Sequence, residues 1–358
     1  MVCGLLLDHN NFDHCFFNLP QMKIAVLAKS QNNAVWFYRV LPWLYMGRQF
    51  VDIDARVVHH GNMQAFEAMI PGFDVLVIHS PNTDQDLRAM HLAKAYNVRI
   101  VVDYDDLIFQ VPNVNPASMH HGKPEIMENA LNCYKLADQV TVSTSALADY
   151  IEQTFNKRPE VVNNAHNDFI FPSFPAKMNA PQNGVNTVLW RGSSTHQGDM
   201  MAYRDAFQEF ENIEYHFWGM APDLFVGKQY GGHLESWHYK GMEQGIPRYF
   251  QNLSLLKPNF LVVPLEDTVF NRCKSNIAWL EATRAGAVCL ATLLPEFDEK
   301  GVISFRNYFE LDGLLAAVDE NAEDFTGFYL DSVANIQENY LLSKINHKRA
   351  LALEKMYQ

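Results

Sequence analysis

The feature that most constrains this chain is an alternation of short apolar runs with amphipathic segments, repeated in both halves of the sequence. The clearest apolar runs are residues 23–28, 73–80, 98–106, 186–192, 213–219, 259–265 and 287–292. Segments such as 83–96 and 145–155, which follow apolar runs, carry apolar residues at helical spacing. In the second half of the chain, helices are predicted at 198–211 and 246–256. Continuous apolar strands that alternate with helices are typical of a parallel sheet covered on both faces. The pattern therefore predicts an α/β fold.

A proline-rich segment divides this pattern into two domains. Residues 171–186 contain three prolines and one glycine without any periodicity, which is typical of a linker. We predict two doubly wound, Rossmann-like domains, residues 22–175 and 186–340, that face a central cleft. Residues 341–358 are predicted to form a helical C-terminal tail that packs back on the first domain.

The beginning of the chain does not resemble a secretion signal. Residues 1–21 precede the first predicted strand, have no basic n-region, and have Asp8 and His9 interrupting the apolar run. We predict that they form an extension, with a start of translation at Met22 as the alternative. No apolar run approaches the roughly 20 residues that span a bilayer. We therefore expect a cytoplasmic protein, and peripheral membrane contact stays open.

The composition fits two globular domains. The chain has 358 residues, of which 48% are hydrophobic and 19% charged, so it is long for one core and not typical of disorder. Its formal net charge of −13 disfavours a protein whose main task is to coat nucleic acid, because such binding depends on neutralising phosphates. The cysteines lack CxxC spacing, which predicts a reducing compartment with neither a disulfide framework nor a zinc site. They are Cys3, Cys15, Cys133, Cys273 and Cys289.

The most polar candidate site follows the strand predicted at 259–265. We predict that residues 271–285 form one helix, in which Lys274 and Glu281 are seven residues apart and share one face. A helix start near Asn271 offers free backbone N–H groups to a phosphate, and Lys274 adds a positive charge. Glu281 could accept two hydroxyl groups of a ribose. The alternative is an amphipathic helix with solvated charges.

A second candidate follows the first strand of the second domain. Gly192 and Ser193 allow a tight turn of the backbone, and Arg191 can bind a phosphate through two N–H groups. The alternative is an ordinary strand-to-helix turn with Asp199 near the start of the next helix.

The order of these segments resembles the group-1, GT4-like family of GT-B glycosyltransferases. Residues 264–292, PLEDTVFNRCKSNIAWLEATRAGAVCLAT, are similar to the family's strand, loop, Lys-Ser helix and glutamate. Residues 188–199, VLWRGSSTHQGD, resemble its Gly-Ser-x-x-His segment. Residues 101–109 and 34–44 resemble variants of phage-borne and surface-polysaccharide members. The resemblance covers about residues 22–300.

The resemblance implies how a nucleotide-sugar donor would be held. Lys274 matches the family's diphosphate-binding lysine, Glu281 matches its ribose-binding glutamate, and Arg191 lies near its phosphate-binding arginine. The sequence departs from the family where Cys273 replaces the first acid of an E-x7-E pair and where Ala34 replaces a common glycine. The predicted donor-binding residues are Arg191, Gly192, Ser193, His196, Asn271, Lys274, Ser275 and Glu281.

Polar residues at strand ends of the first domain are predicted to bind the acceptor and to carry the reaction. We assign His79, Asp103 and Asp105 to catalysis. The predicted acceptor-binding residues are Trp36, Tyr38, Arg39 and Asp106. A metal site on the three aspartates, which resemble a DxD motif, is not favoured, because adjacent acids at one strand end bind metal poorly without further ligands. A structural role for the histidine and a loop-capping role for the acids are the alternatives.

The resemblance implies a glycosyltransferase that moves a sugar from a nucleoside-diphosphate sugar, UDP being one candidate nucleotide, to a saccharide or other hydroxyl acceptor. It also implies retention at the anomeric carbon and no metal or organic cofactor. The alternatives are a nucleotide-sugar 2-epimerase, a phage transferase acting on modified DNA bases, and a binding protein without turnover. The net charge disfavours a nucleic acid acceptor.

Overall fold

The computed structural model describes residues 21–29, 33–219, 236–237, 245–321 and 324–357. Residues 1–20, which hold Cys3, Cys15 and almost all of the predicted extension, lie outside the described residues. The three described cysteines, Cys133, Cys273 and Cys289, are free thiols and buried.

The first domain is built on a parallel sheet with strand order β2-β1-β3-β4-β5-β6. Its strands are β1 (Met22–Leu27), β2 (Ile53–Val58), β3 (Val75–His79), β4 (Arg99–Tyr104), β5 (Gln139–Val142) and β6 (Glu160–Val161). The order reverses between β1 and β3, so their carboxyl ends border the crevice where doubly wound sheets bind ligands.

Helices cover both faces of this sheet. A π-helical turn at Trp36–Val40 leads into α1 (Leu41–Gln49), and the chain continues through α2 (Met63–Met69), α3 (Asp84–Ala95), α4 (Ser118–His121), α5 (Pro124–Leu136) and α6 (Ser145–Phe155). Thr83 starts α3 with a capping box in which Asp86 takes part, and the Thr144 side chain caps α6. Local side-chain chemistry therefore fixes where two of these helices begin.

The second domain has a sheet with strand order β12-β11-β10-β7-β8-β9, parallel throughout. Its strands are β7 (Asn186–Gly192), β8 (Ile213–Gly219), β9 (Ser236–Trp237), β10 (Phe260–Val263), β11 (Val288–Thr292) and β12 (Ile303–Phe305). Counted within the domain, this is the Rossmann order 3-2-1-4-5-6, and it reverses between β7 and β10. The helices are α7 (Gln197–Tyr203), α8 (Ile246–Leu256), α9 (Val269–Arg272), α10 (Ile277–Ala285), α11 (Tyr308–Asp319) and α12 (Thr326–Asn339).

The C-terminal helix α13 (Leu342–Tyr357) returns to the first domain. Ala350, Leu353 and Met356 are buried in the same apolar cluster as the residues of β1 and α1. Where the chain crosses back, the N–H of His166 donates to the Tyr340 carbonyl and the N–H of Leu342 donates to the His166 carbonyl, both at 2.8 Å. The predicted fold class, two Rossmann-like domains around a cleft (GT-B) with a helical tail, is confirmed by the two sheets and this tail.

Several predicted elements differ in the structure. The continuous helix predicted at 271–285 is wrong, because the chain forms α9, breaks at 273–276 and restarts as α10. The helix predicted at 198–211 ends at Tyr203 and is followed by a short 3-10 turn. The sequence patterns also missed α2 and β12. Across the described ranges, no helix combines the length and apolar character needed to cross a bilayer.

Candidate functional site

Two cavities open at the two points where strand order reverses. The first-domain cavity, about 410 Å³, is lined by residues from the ends of β1 and β3, among them Leu27, Lys29 and His79. The second-domain cavity, about 270 Å³, is lined by residues at the ends of β7 and β10, among them Arg191 and Leu265. The two cavities share four lining residues, Val35, Asp105, Asp106 and Lys274. They are therefore adjoining parts of one cleft between the domains.

Glu281 in the second-domain cavity contacts three other polar side chains. Its Oε2 lies 2.7 Å from Nη2 of Arg191 and accepts the hydroxyl of Tyr249 at 2.7 Å. Its Oε1 accepts the hydroxyl of Tyr38 at 2.9 Å. The structure thus joins the predicted phosphate-binding arginine directly to the predicted ribose-binding glutamate. Because both carboxylate oxygens are engaged, Glu281 fixes Arg191, and its contact with a ribose stays a prediction.

Tyr38 was predicted to bind the acceptor in the first domain, but its hydroxyl reaches across the cleft to Glu281. Burial and the neighbouring Glu281 carboxylate raise the pKa of Tyr38 well above its usual value, so it stays a neutral donor. Tyr249, which sequence reasoning missed, makes the matching bond from α8. Its position one turn into a helix gives no sequence signal for this contact.

Arg191 keeps hydrogen-bonding capacity within the cavity. Burial alone would lower the pKa of Arg191, but Glu281 outweighs this effect and raises it, so the guanidinium is cationic. The Nε atom of Arg191 is buried and has no hydrogen-bond acceptor among the residues that the structure describes. A buried N–H without an acceptor is costly, and a phosphate oxygen would satisfy it.

Lys274 lies in the break between α9 and α10 rather than on a helix. Its Nζ is 3.4 Å from Oδ1 of Asp106 across the cleft and 4.7 Å from the centre of the Phe270 ring. The helix start predicted near Asn271 moves to Ile277, so the free N–H groups of α10 lie just beyond Lys274 and Ser275. Lys274 therefore still lies next to a helix start. It does not share a helix face with Glu281, because Lys274 precedes α10 and Glu281 lies within it.

The break is held by bonds from the first domain. Oγ1 of Thr144 donates to the Cys273 carbonyl at 3.0 Å, and Nδ2 of Asn164 donates to Oγ of Ser275 at 2.8 Å. Ser275 lines the second-domain cavity, as predicted for a donor-site residue. These contacts bond the segment around Lys274, which belongs to the second domain, to the first domain.

Asn271 has a structural role instead of the predicted contact with the donor. It is buried, and its Nδ2 donates to Oδ1 of Asp199 at 2.7 Å and to the Glu266 carbonyl at 3.0 Å. Oδ2 of Asp199 lies 2.9 Å from Nδ1 of His196, which does line the second-domain cavity. Asp199 therefore orients His196 and ties the turn after β7 to the loop after β10.

The two small residues after Arg191 shape the turn but do not line either cavity. A Cβ on Gly192 would lie 2.7 Å from the Trp190 ring, so a larger residue would clash. Ser193 is exposed and its Oγ accepts the N–H of Thr195 at 3.4 Å, capping a short 3-10 turn. Both residues therefore contribute to backbone geometry, and their contact with the donor stays a prediction.

His79 lies between two carboxylates in the first-domain cavity. Its Nδ1 is 3.2 Å from Oδ2 of Asp103, and its Nε2 is 3.0 Å from Oδ1 of Asp105. Burial alone would lower the pKa of His79, but the two carboxylates outweigh it and raise the pKa to about 9. The side chain is therefore an imidazolium at neutral pH, and it cannot accept a proton there.

Asp103 and Arg39 form a buried pair that does not face the cleft. Nε and Nη2 of Arg39 donate to the two oxygens of Asp103 at 2.8 and 2.5 Å, and Nη1 donates to the Val162 carbonyl and to Asn164. Thr141 donates a further bond to Asp103. The prediction that Arg39 binds the acceptor is wrong, because both side chains are buried and line neither cavity. Asp103 positions His79 and does not reach a substrate.

Asp105 and Asp106 are the first-domain carboxylates that do face the cleft. Both line both cavities, and the side chain of Asp106 is half exposed. Burial alone would raise the pKa of Asp105, but His79 outweighs it and lowers the pKa. Across the described ranges, no group of three or more His, Cys, Asp or Glu side chains could hold a metal ion.

The first-domain cavity contains polar residues that the predictions did not include. Nζ of Lys29 donates to Oδ2 of Asp86 at 2.8 Å and to the Ser80 carbonyl at 3.0 Å. His120 and His121 also line this cavity. Trp36 lies outside both cavities of the cleft, on a third cavity, so its predicted contact with the acceptor in this cleft is wrong.

Comparisons with known proteins give low similarities. The chain matches no protein-family model, and no curated protein matches it. A solved UDP-N-acetylglucosamine 2-epimerase is 11% identical, over 88% of this chain and 92% of that chain, with a TM-score of 0.47. A UDP-glucosyltransferase from Polygonum tinctorium is 11% identical, over 95% and 99%, with a TM-score of 0.42. The glycosyltransferase SnogD from Streptomyces nogalater is 10% identical, over 92% and 100%, with a TM-score of 0.41. The fold assignment rests on the strand orders of the two sheets.

Proposed function

We propose that this protein is a glycosyltransferase that moves a sugar from a nucleoside-diphosphate sugar to a hydroxyl group of an acceptor. The observation that carries the proposal is the set of cationic and N–H groups at the order reversal of the second sheet. Arg191 with its unsatisfied Nε, Lys274 and the start of α10 surround one cavity at the position where Rossmann sheets bind diphosphates.

The first-domain cavity supports a transferase over a nucleotide-binding protein. It adjoins the second-domain cavity at Asp105, Asp106 and Lys274, so an acceptor there would lie beside the diphosphate end of a donor. Its volume of about 410 Å³ is sufficient for a sugar-sized acceptor. A saccharide is the acceptor that we favour, and this part of the proposal rests on the resemblance described above.

The proposed chemistry is electrostatic. As the bond between the sugar and the diphosphate breaks, negative charge grows on the leaving oxygen, and Arg191 and Lys274 are placed to stabilise it. Glu281 keeps Arg191 in position through the 2.7 Å ion pair. His79, held as an imidazolium, adds positive charge near Asp105 and does not act as a base at neutral pH. We expect no requirement for a divalent metal, since the side chains supply the positive charge. We also expect retention at the anomeric carbon, which rests on the resemblance described above.

The test uses Arg191→Ala and Lys274→Ala in the full chain. We expect each variant to bind nucleoside diphosphates at least about tenfold more weakly, because each removes a charge-assisted contact with the diphosphate. Isothermal titration with UDP, GDP and ADP measures the binding, and sugar transfer to a saccharide panel measures activity. Arg272→Ala is the matched control, because this arginine is exposed and paired with Asp267 outside the cleft.

Unchanged nucleotide binding in both cleft variants would remove the proposal. Release of free nucleoside diphosphate from the sugar nucleotide without any acceptor would favour an epimerase. Tight donor binding without turnover would favour a binding protein. Activity that is lost with EDTA and restored by Mg²⁺ would overturn the metal-independent part alone.

A further inference from the structure

A third cavity is lined by residues of both domains. We name it the aromatic cavity. Its volume is about 370 Å³, and its lining includes Trp36 and Phe37 of the first domain, Phe171 of the linker, and Phe250, Ser254 and Arg284 of the second domain. Apart from Ile246, its lining residues belong to neither cavity of the candidate functional site.

Among the described residues, Arg284 is the one charged residue that lines the aromatic cavity. Its guanidinium carbon lies 3.6 Å from the centre of the Phe171 ring and 4.4 Å from the centre of the Phe250 ring. Its Nε and Nη1 are buried and have no hydrogen-bond partner within the described ranges. Within the part of the chain that the structure describes, no carboxylate forms an ion pair with this side chain.

A purely structural role explains only part of this arrangement. Arg284 lies in the last turn of α10, where a cation is favoured by the helix dipole, and the two rings stabilise its charge. Among the described residues, neither supplies an oxygen acceptor for Nε or Nη1. Burial lowers the pKa of Arg284, and Glu281, whose charge opposes this effect, is already paired with Arg191. The part of the chain that the structure describes therefore offers this guanidinium no acceptor that matches its planar set of donors.

We propose that the aromatic cavity binds a small molecule with a flat apolar body and a single carboxylate. The carboxylate would accept bonds from Arg284, since a carboxylate matches a guanidinium geometrically, and the body would pack on Trp36, Phe37 and Phe250. One cation in an otherwise uncharged lining favours a monoanion over a nucleotide or a diphosphate. The volume of about 370 Å³ lies within the usual range of small-molecule sites.

The cavity is adjacent to the residues that hold Glu281. Phe37 packs edge-on against Tyr38 with ring centres 4.9 Å apart, and Phe250 lies next to Tyr249 with ring centres 5.3 Å apart. Both tyrosines donate to Glu281. Binding in the aromatic cavity does not depend on the proposed function, although its ligand would lie one residue layer from the diphosphate site.

The experiment is isothermal titration of the full chain with 2-naphthoate and with 2-naphthamide, which has the same shape without the charge. We expect naphthoate to bind one site, and the amide to bind at least about tenfold more weakly, because it cannot form a charge-assisted pair with Arg284. Arg284→Met keeps an unbranched apolar side chain and should lower naphthoate affinity by at least about tenfold without affecting the amide.

A second variant tests the location independently of the charge. Ser254 is exposed at the lining of the cavity, and Ser254→Trp should fill it and abolish binding of both probes. Arg272→Met, on the exposed surface of α9, should leave both affinities unchanged. Circular dichroism checks that each variant is folded.

Failure of naphthoate to bind the folded wild type, or equal affinity for wild type and Arg284→Met, would overturn the proposal. If Arg284→Met does not fold, unchanged naphthoate affinity in Ser254→Trp would overturn it equally. Titration of the same samples with UDP measures binding at the diphosphate site. A failure of the proposed function is therefore distinguishable from a failure of the aromatic cavity to bind its ligand.

Discussion

Replacing His79 by glutamine should remove a large part of the pH dependence of stability. Glutamine keeps the approximate size and the hydrogen-bonding character of the imidazole, but it cannot carry a charge. In the wild type, the ring lies 3.2 Å from an oxygen of Asp103 and 3.0 Å from an oxygen of Asp105, and the side chain is only 11% exposed. These two carboxylates raise the pKa of His79 from 6.5 to about 9 against the opposing effect of burial.

The size of the effect follows from this difference in pKa. The change from 6.5 to about 9 corresponds to roughly 3 kcal/mol of folding free energy. Below pH 6.5 the folded and unfolded states both carry the proton, so the contribution is complete. As pH rises from 6.5 to about 9, the unfolded state loses the proton while the folded state keeps it, and the stability falls. Above about pH 9 the contribution is absent.

Urea denaturation at about pH 6 and about pH 9.5 measures this contribution in the wild type and in His79→Gln. Other groups titrate over the same interval in both proteins, so the difference between the two pH dependences isolates His79. We expect the wild type to lose roughly 3 kcal/mol more than the variant. A nuclear magnetic resonance titration of the His79 ring should give a midpoint near pH 9.

Equal pH dependence in the two proteins, or a ring that titrates near pH 6.5, would refute the reasoning. Such a result would mean that water screens the two carboxylates more strongly than the geometry indicates. It would also return His79 to the neutral state at pH 7, in which it could accept a proton from an acceptor hydroxyl.

The remaining predictions concern packing and the Glu281 cluster. Tyr249→Phe removes the 2.7 Å bond to Glu281, and we expect it to lower the free energy of unfolding by about 1–3 kcal/mol in a urea titration, because a buried carboxylate loses a donor. An unchanged midpoint would show that water or another donor replaces the hydroxyl. Leu353→Ala should cost about 2–5 kcal/mol in the same assay, since the side chain is buried in the first-domain core. Leu351→Ala, on the exposed side of the same helix, is the control and should change stability by less than about 0.5 kcal/mol. Similar losses in both would contradict the packing of α13.

The fold was largely predictable because buried parallel strands have a local signature. Residues 186–192 and 246–256 were predicted with the bounds that β7 and α8 have in the structure. The tail helix was also predictable from its pattern. Local apolar periodicity decides such elements, and no distant contact is needed to recognise them.

The break after α9 was not predictable, because it depends on contacts with residues that are distant in the sequence. Residues 271–285 have helical periodicity, but bonds from Thr144 and Asn164 capture the backbone at Cys273 and the side chain of Ser275. These donors lie more than a hundred residues away in the sequence. Tertiary hydrogen bonds therefore override the local preference, and no spacing rule contains that information.

In the candidate site, too, some features could be predicted from local sequence and others depend on distant contacts. The positions of Arg191, Lys274 and Glu281 at the cleft could be predicted, because strand ends in parallel sheets meet at one edge. Their partners could not. The sequence alone does not distinguish Asp103, which is paired with Arg39 inside the domain, from Asp105, which faces the cleft. Both lie at the end of the same apolar run, and Arg39, which pairs with Asp103 and so separates their roles, is 64 residues away from it.

The two hydrogen bonds between His166 and the segment at Leu341 have a mechanical consequence. They hold side by side the two places where the chain passes from one domain to the other. Because both connections lie at one place, we expect any opening of the two domains to be a rotation about an axis through this place. Opening the cleft about this axis would require the contact between Lys274 and Asp106 to break, because it joins the two domains across the cleft.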